Sequence, residues 1–281
     1  MEISINGKLA DIVLEKEEKV GDVLSGLENW LQGSGNRISG LAIDGLNISA
    51  EQVPEALAYK LSAHKAMDIT IISWSELAIE ALVQLKETCL HYNNSSFIEY
   101  SAIRKQWEES AAATFLYSEI REFHELAGLC FAGEGVSASN LLLFAEERIR
   151  ELGDPERELE NMEKPVSEIA RRMEELPLDV QTGKDGKAAE TIQFFTQMAE
   201  KLFRLLRVLK LRKPDFDSCQ VEGLGIREFL NGFNTALGEL TSAYKNQDAV
   251  LIGDLAEYEM APRLLKLYSA LKNFFPAEVQ K

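Results

Sequence analysis

The chain has 281 residues, of which 46% are hydrophobic and 27% are charged, a composition typical of a globular protein. Its 46 acidic and 30 basic residues give a formal net charge of −16, which disfavours binding to nucleic acid or anionic lipid because both require a surplus of Lys and Arg. No apolar run approaches the roughly 20 residues of a transmembrane helix, so no transmembrane segment is predicted.

The first residues predict a β-hairpin. Ile3 and Ile5 alternate with polar residues, and Asn6-Gly7 follows them. This dipeptide is typical of a type I′ turn, because both central residues of that turn have φ above zero. A second strand is predicted from Leu9 to Leu14.

A helix, a strand, a short helix and a last strand follow the hairpin. The first helix is predicted from apolar residues at helical spacing, with glycines at 33 and 35 to end it: Val20, Val23, Leu24, Leu27 and Leu31. A strand over 37–43 is closed by Asp44-Gly45. Ser49, with Gln52 at the capping-box position, predicts a short helix over 50–61. The last strand is predicted over 67–72.

This order of elements over residues 1–73 resembles the ubiquitin-like β-grasp fold. The resemblance is one of topology and singles out no family within the fold. It implies one of three roles: covalent modifier, sulfur carrier or docking module, of which the first two use a free Gly-Gly C-terminus. Here Ser73-Trp74-Ser75 leads directly into a helix without a diglycine, so the resemblance favours docking.

Residues 74–281 have apolar residues at helical spacing, which predicts a second domain, an all-α antiparallel bundle of about seven helices. The fold class is therefore α+β. One long helix is predicted to carry apolar residues from Ile103 to Leu126 and to end in the glycine-containing stretch 132–135. The last four helices, from about residue 155, have apolar spacings that alternate between three and four, as in packed bundles. Examples are the stripes from Leu159 to Leu176 and from Ile226 to Tyr244.

Two prolines and one capping pair are predicted to shape these helices. Pro165 and Pro262 interrupt apolar stripes and are expected to kink or break their helices. Asp154-Pro155 has the residue types of an N-cap followed by the first helical position.

No catalytic, metal or cofactor motif is found. Of His64, His91 and His124, none lies three or four residues from a cysteine or from another histidine. We therefore expect no metal ion and no cofactor. The three widely spaced cysteines argue against a disulfide framework, and the N-terminus lacks a signal peptide pattern, so a cytoplasmic protein is expected.

One basic stretch stands out in this acidic chain. Lys201, Arg204, Arg207 and Lys210 are interleaved with apolar residues and continue to Arg212-Lys213. One interpretation is a docking helix for an acidic partner or membrane surface. The other, which the strongly apolar interleaving favours, is a core helix whose long basic side chains extend outward and offset nearby acids.

An acidic group lies near the C-terminal proline. Asp254 and Glu257 share a helical face, and Glu259 follows them close to Arg263. Paired carboxylates could bind a cation or transfer a proton. The alternative, which we favour, is a solvated acidic face with a local ion pair to Arg263.

The leading functional hypothesis is a cytoplasmic adaptor or scaffold that binds protein partners, including a second copy of itself. It follows from the missing catalytic motifs and the docking role of fused β-grasp domains. The alternative is an enzyme or a sensor of a small ligand or metal, with a site assembled between the two domains from residues distant in sequence.

Overall fold

The computed structural model describes residues 1–11, 14, 16–31, 34–213 and 215–276. The chain forms two compact units, Met1–Ile149 and Arg150–Lys281. The division into domains at residue 73 stays a prediction. In the described part of the chain, no helix is both long enough and apolar enough to cross a bilayer.

The N-terminal unit begins with a mixed five-stranded sheet. Its strands are β1 (Glu2–Ile5), β2 (Lys8–Leu9), β3 (Asn36–Ile43), β4 (Leu46–Asn47) and β5 (Ala66–Ser73). Their order in the sheet is β2-β1-β5-β3-β4, with β1 and β5 parallel and all other neighbours antiparallel. Helices α1 (Val20–Leu31) and α2 (Val53–Ala56) complete a β-grasp-like topology, which confirms the predicted α+β fold class.

Two turns of this sheet have the dihedral angles that their sequences demand. Asn6 and Gly7 have φ of 51° and 73°, and Asp44 and Gly45 have φ of 51° and 81°. The first turn confirms the predicted hairpin. The second turn also joins two strands, β3 and β4. Strand β4 was not predicted, because two residues are too few to show a periodic pattern.

The predicted elements of this region differ from the observed ones at their ends. Strand β2 ends at Leu9; Ile12 and Val13 of the predicted strand, and Gly33 of the predicted helix end, lie outside the described residues. The helix predicted over 50–61 is reduced to α2. The backbone after it bonds to the start of α1 instead: the carbonyls of Leu57 and Tyr59 accept from the N–H groups of residues 21 and 20, each at 3.0 Å.

Five helices follow the sheet. They are α3 (Trp74–Asn94), α4 (Tyr100–Glu108), α5 (Ala111–Glu119), α6 (Arg121–Ala132) and α7 (Ala138–Gly153). The single helix predicted from Ile103 to Leu126 is therefore wrong, since α4, α5 and α6 replace it. Ser110 caps α5 by accepting a hydrogen bond from the N–H of Ala113, and Ile120 leaves the helical conformation with φ −138° and ψ 62°.

The second unit is helical apart from one short hairpin. Its helices are α8 (Pro155–Asn161), α9 (Glu163–Glu174), α10 (Leu176–Gln181), α11 (Asp185–Arg212), α12 (Ile226–Lys245), α13 (Ala249–Asp254) and α14 (Ala261–Phe274). Strands β6 (Gln220–Val221) and β7 (Leu224–Gly225) pair between α11 and α12. The helices are thus more numerous and shorter than predicted.

The core of this unit contains most of the predicted apolar stripes. Phe195 of α11 and Phe233 of α12 are fully buried, with ring centroids 6.4 Å apart. Tyr244, at the end of its predicted stripe, is instead 47% exposed. Asp154 caps α8 and is followed by Pro155, as predicted.

The two interrupting prolines lie at helix starts. Pro165 is in the first turn of α9, after a break at Met162. Pro262 is in the first turn of α14, directly after a π-helical segment, Leu255–Met260. Proline has no N–H and its ring crowds the carbonyl four residues before it, which the wider π-helical turn accommodates.

Candidate binding groove

Helix α1 and the described residues Ala10, Asp11, Leu14 and Glu17, which follow β2, line a groove of about 500 Å³ in the β-grasp-like region. Ile5, Leu14, Val23 and Leu27 contribute aliphatic side chains to its lining. Val23 and Leu27 are also buried in the core of this region. One wall of the groove is therefore held in place by the packing of α1 on the sheet.

Three carboxylates also line the groove: Asp11, Glu17 and Asp22. Asp22 accepts hydrogen bonds from the backbone N–H groups of Glu18 at 3.1 Å and Lys19 at 2.9 Å, which fixes the start of α1. Three acidic groups around an aliphatic lining give the groove a negative potential, which attracts cationic groups.

The groove is open to solvent along α1. Trp30 lines it and is 73% exposed. Gly26 lines it as well, and a Cβ placed there would meet no atom within 4 Å. The adjacent strand β2 is an edge of the sheet, and its Leu9 is 73% exposed. The groove and the edge strand together form one accessible surface of aliphatic, aromatic and acidic character.

Sequence analysis did not predict this groove, although one signal was present. Trp30 lies beside the apolar stripe of α1 and not on it, so the stripe does not account for a large aromatic residue at that position. The carboxylates gave no signal, since single acidic residues are common on any surface.

The basic stretch lies on α11, where three of its side chains bind acids of the same unit. The pairs are Arg204–Glu151, Lys201–Glu158 and Arg212–Glu156, with nitrogen–oxygen distances of 2.8, 3.1 and 2.9 Å. Glu151 is fully buried, and Arg204 donates two hydrogen bonds to it. These contacts support the interpretation of a core helix whose basic side chains extend outward. Two other basic residues of the stretch, Arg207 and Lys210, are exposed. Partner binding by the stretch stays a prediction.

The acidic group lies on and beside the π-helical segment. Glu259 binds Arg263 at 2.7 Å, the local ion pair that the sequence predicted. A hydrogen bond with Glu257 raises the pKa of Tyr258, and the nearby Asp254 charge adds to the effect. Asp254 itself is exposed. A cation-binding or proton-transfer role for the group stays a prediction.

A search for metal sites covered the described part of the chain. Within it, no three His, Cys, Asp or Glu side chains form a group that could hold a metal ion. His64 Nδ1 contacts the carboxylate of Asp44 at 3.0 Å, a contact that the sequence analysis did not predict.

Comparison with known proteins gave matches to family models alone. No curated protein and no solved structure matched the chain. Residues 157–270 match the model of a domain of unknown function (DUF8042), which covers most of α8, all of α9 to α13 and most of α14. Residues 1–73, which contain the sheet, α1 and the groove, match the model described as the TP0873 N-terminal domain.

Proposed function

We propose that the chain is a non-enzymatic cytoplasmic adaptor or scaffold that acts through protein–protein interaction. The observation that supports this proposal is the groove beside the edge strand β2, where aliphatic side chains, carboxylates and the exposed Trp30 share one surface. Docking surfaces typically combine an aromatic residue with apolar contacts and complementary charge.

The occupant that fits this surface is an extended, basic segment of a protein partner. The edge of β2 that faces away from β1 offers backbone groups with which an added strand can pair. An apolar side chain of that strand would enter the groove. A neighbouring Lys or Arg would lie near the carboxylates of Asp11 and Glu17, whose charge favours a cation.

A second candidate function rests on the size of the groove. A volume of about 500 Å³ is within the roughly 300–1,000 Å³ of small-molecule sites. A small apolar cation fits this volume, which keeps the hypothesis of a small-ligand sensor but places its site within residues 5–30 and not between two domains.

A selection from a phage-displayed library of random peptides on the immobilised full-length chain tests the adaptor proposal. We expect enriched peptides that combine Lys or Arg with aliphatic or aromatic residues. They should bind the wild type and lose at least tenfold in affinity for Gly26→Leu, because the new side chain enters the groove where a Cβ meets open space.

Gly128→Leu is the control variant. Gly128 is also an exposed helical glycine with no atom within 4 Å of an added Cβ, and it lies in α6. Its affinity should equal that of the wild type. Peptides that bind Gly26→Leu as well as wild type, or a selection that enriches no sequence, would contradict the proposal. If no peptide is enriched but arylalkylamines raise the Tm of the wild type and not of Gly26→Leu, the small-ligand function replaces it.

A further inference from the structure

Two of the three cysteines lie together in the N-terminal unit. Cys89 of α3 and Cys130 of α6 are separated by two intervening helices in the sequence, and their side chains are 0% and 2% exposed. Both are free thiols. Their thiol groups are close enough to form a hydrogen bond with each other.

A second contact fixes the same pairing of the two helices. Tyr92 lies one helical turn after Cys89, and Phe131 follows Cys130 directly. The ring centroids of Tyr92 and Phe131 are 5.3 Å apart. The ring centroids of Trp107, in α4, and Phe131 are 6.0 Å apart. This aromatic packing joins α3 to α6 next to the two cysteines in the sequence.

The two thiols are not equivalent. A hydrogen bond with Cys130 and burial raise the pKa of Cys89. A hydrogen bond with Cys89 lowers the pKa of Cys130 from its usual value. The lowered pKa favours Cys130 as the thiolate, which is the form that reacts with oxidants. For Cys219, burial alone raises the pKa.

We propose that Cys89 and Cys130 are an oxidisable thiol pair that a hydroperoxide converts into a disulfide between α3 and α6. The site is buried, so a small oxidant reaches it during local opening of the helices. The disulfide would close a loop of about 40 residues and restrict the unfolded chain, which stabilises the folded state.

The reaction has two steps. The Cys130 thiolate attacks one oxygen of the hydroperoxide, the O–O bond breaks, and the departing alkoxide or hydroxide takes up a proton, leaving Cys130 as a sulfenic acid. Cys89 loses its proton and its sulfur attacks the sulfenic sulfur. An S–S bond forms and hydroxide leaves as water. Together the thiols give up two electrons and two protons, and the hydroperoxide is reduced to water and an alcohol, or to two waters for hydrogen peroxide.

Mass spectrometry of the full-length Cys219→Ser protein tests this proposal. The protein is treated with hydrogen peroxide, unfolded, and alkylated with iodoacetamide. We expect a product lighter by two hydrogen atoms than the reduced protein, with no alkylated cysteine and a peptide that links residues 89 and 130. Its Tm should exceed that of the reduced protein, and dithiothreitol should reverse both changes.

The Cys130→Ser protein, which retains Cys89 and Cys219, is the control. After the same treatment, both of its thiols should be alkylated. Phenylarsine oxide, which bridges neighbouring thiols, provides a measurement on the wild type that needs no substitution: we expect one arsenic per chain, which is lost in the Cys130→Ser protein. Two alkylated thiols after peroxide treatment, a stable gain of oxygen on Cys130, or a disulfide only between molecules would overturn the proposal.

Discussion

Asp44 is the residue whose charge the fold fixes most clearly. Its carboxylate accepts hydrogen bonds from the N–H groups of Ala66 at 3.0 Å and Lys65 at 2.7 Å, and it contacts His64 Nδ1 at 3.0 Å. These contacts, with Ala66 as the largest cause, lower its pKa from 3.8 to about 2. They tie the β3–β4 turn to the start of β5.

The lowered pKa of Asp44 predicts a pH-dependent contribution to stability. Because the folded-state pKa lies below the unfolded value, the contribution is fully present above about pH 4 and is lost as pH falls towards about 2. Asp44→Asn removes the charge and tolerates the φ of 51°. In urea denaturation the wild type should be more stable than Asp44→Asn at pH 6, and the difference should shrink to near zero at pH 2.

An NMR titration of the Asp44 side-chain carboxyl gives the control. In the wild type its pKa should be about 2. In His64→Ala it should rise but stay below 3.8, because the two backbone N–H donors remain. A wild-type pKa near 3.8, or a stability difference that does not change with pH, would contradict this prediction.

At the scale of elements, helices α10 and α13 pack unusually closely. A Cβ at Gly253 would lie 3.0 Å from Cβ and 3.2 Å from Cγ of Pro177. The proline ring cannot rotate away, so Gly253→Ala forces the helices apart. Such overpacking costs about 2 kcal/mol at the middle of its usual range, which exceeds the gain of roughly 1 kcal/mol from the helix propensity of Ala. We expect a lower free energy of unfolding in urea.

Gly238→Ala separates the packing effect from propensity. Gly238 is an exposed residue of α12, and an added Cβ there would meet no atom within 4 Å. This variant should gain about 0.5–1 kcal/mol. If Gly253→Ala were as stable as Gly238→Ala, the close approach of the two helices would be wrong.

The sequence predicted where apolar faces lie better than where helices end. Stripes such as that from Leu159 to Leu176 are buried as predicted, because periodicity is a local pattern. The breaks were harder to predict. The apolar pattern from Ile103 to Leu126 continues across Ser110 and Ile120, although the backbone leaves the helical conformation at both residues. It continues because each of the helices α4, α5 and α6 buries an apolar face of its own.

The candidate sites depend on tertiary contacts that no local pattern contains. The groove exists because Asp11 and Leu14 lie beside α1. Cys89 and Cys130 meet because α4 and α5 return the chain to α3. In contrast, Glu259 and Arg263 are four residues apart, and their ion pair was predictable from helical spacing alone.

At the scale of the whole molecule, net charge is the dominant electrostatic feature. The chain carries 46 acidic and 30 basic residues, with a net charge of −16 and an isoelectric point near 4.8. Pairs such as Arg104–Glu108 and Arg121–Glu125 are exposed and contribute little to stability, because water and salt screen them. When salt screens charges, the protein gains stability from weaker repulsion among the surplus acids and loses stability from weaker ion pairs. We expect the gain to be larger than the loss.

Moderate salt should consequently stabilise the protein at neutral pH. Raising NaCl from about 10 mM to about 150 mM shortens the Debye length from roughly 30 Å to about 8 Å, which screens long-range repulsion more than contacts below 4 Å. We expect the Tm of the first calorimetric transition at pH 7.5 to rise by several degrees. The same addition of NaCl at pH 5, close to the isoelectric point, should leave the Tm nearly unchanged, because little net charge remains to be screened. An equal rise at both pH values would mean that the salt acts through general solvent effects, and a fall at pH 7.5 would mean that the ion pairs contribute more than the repulsion costs.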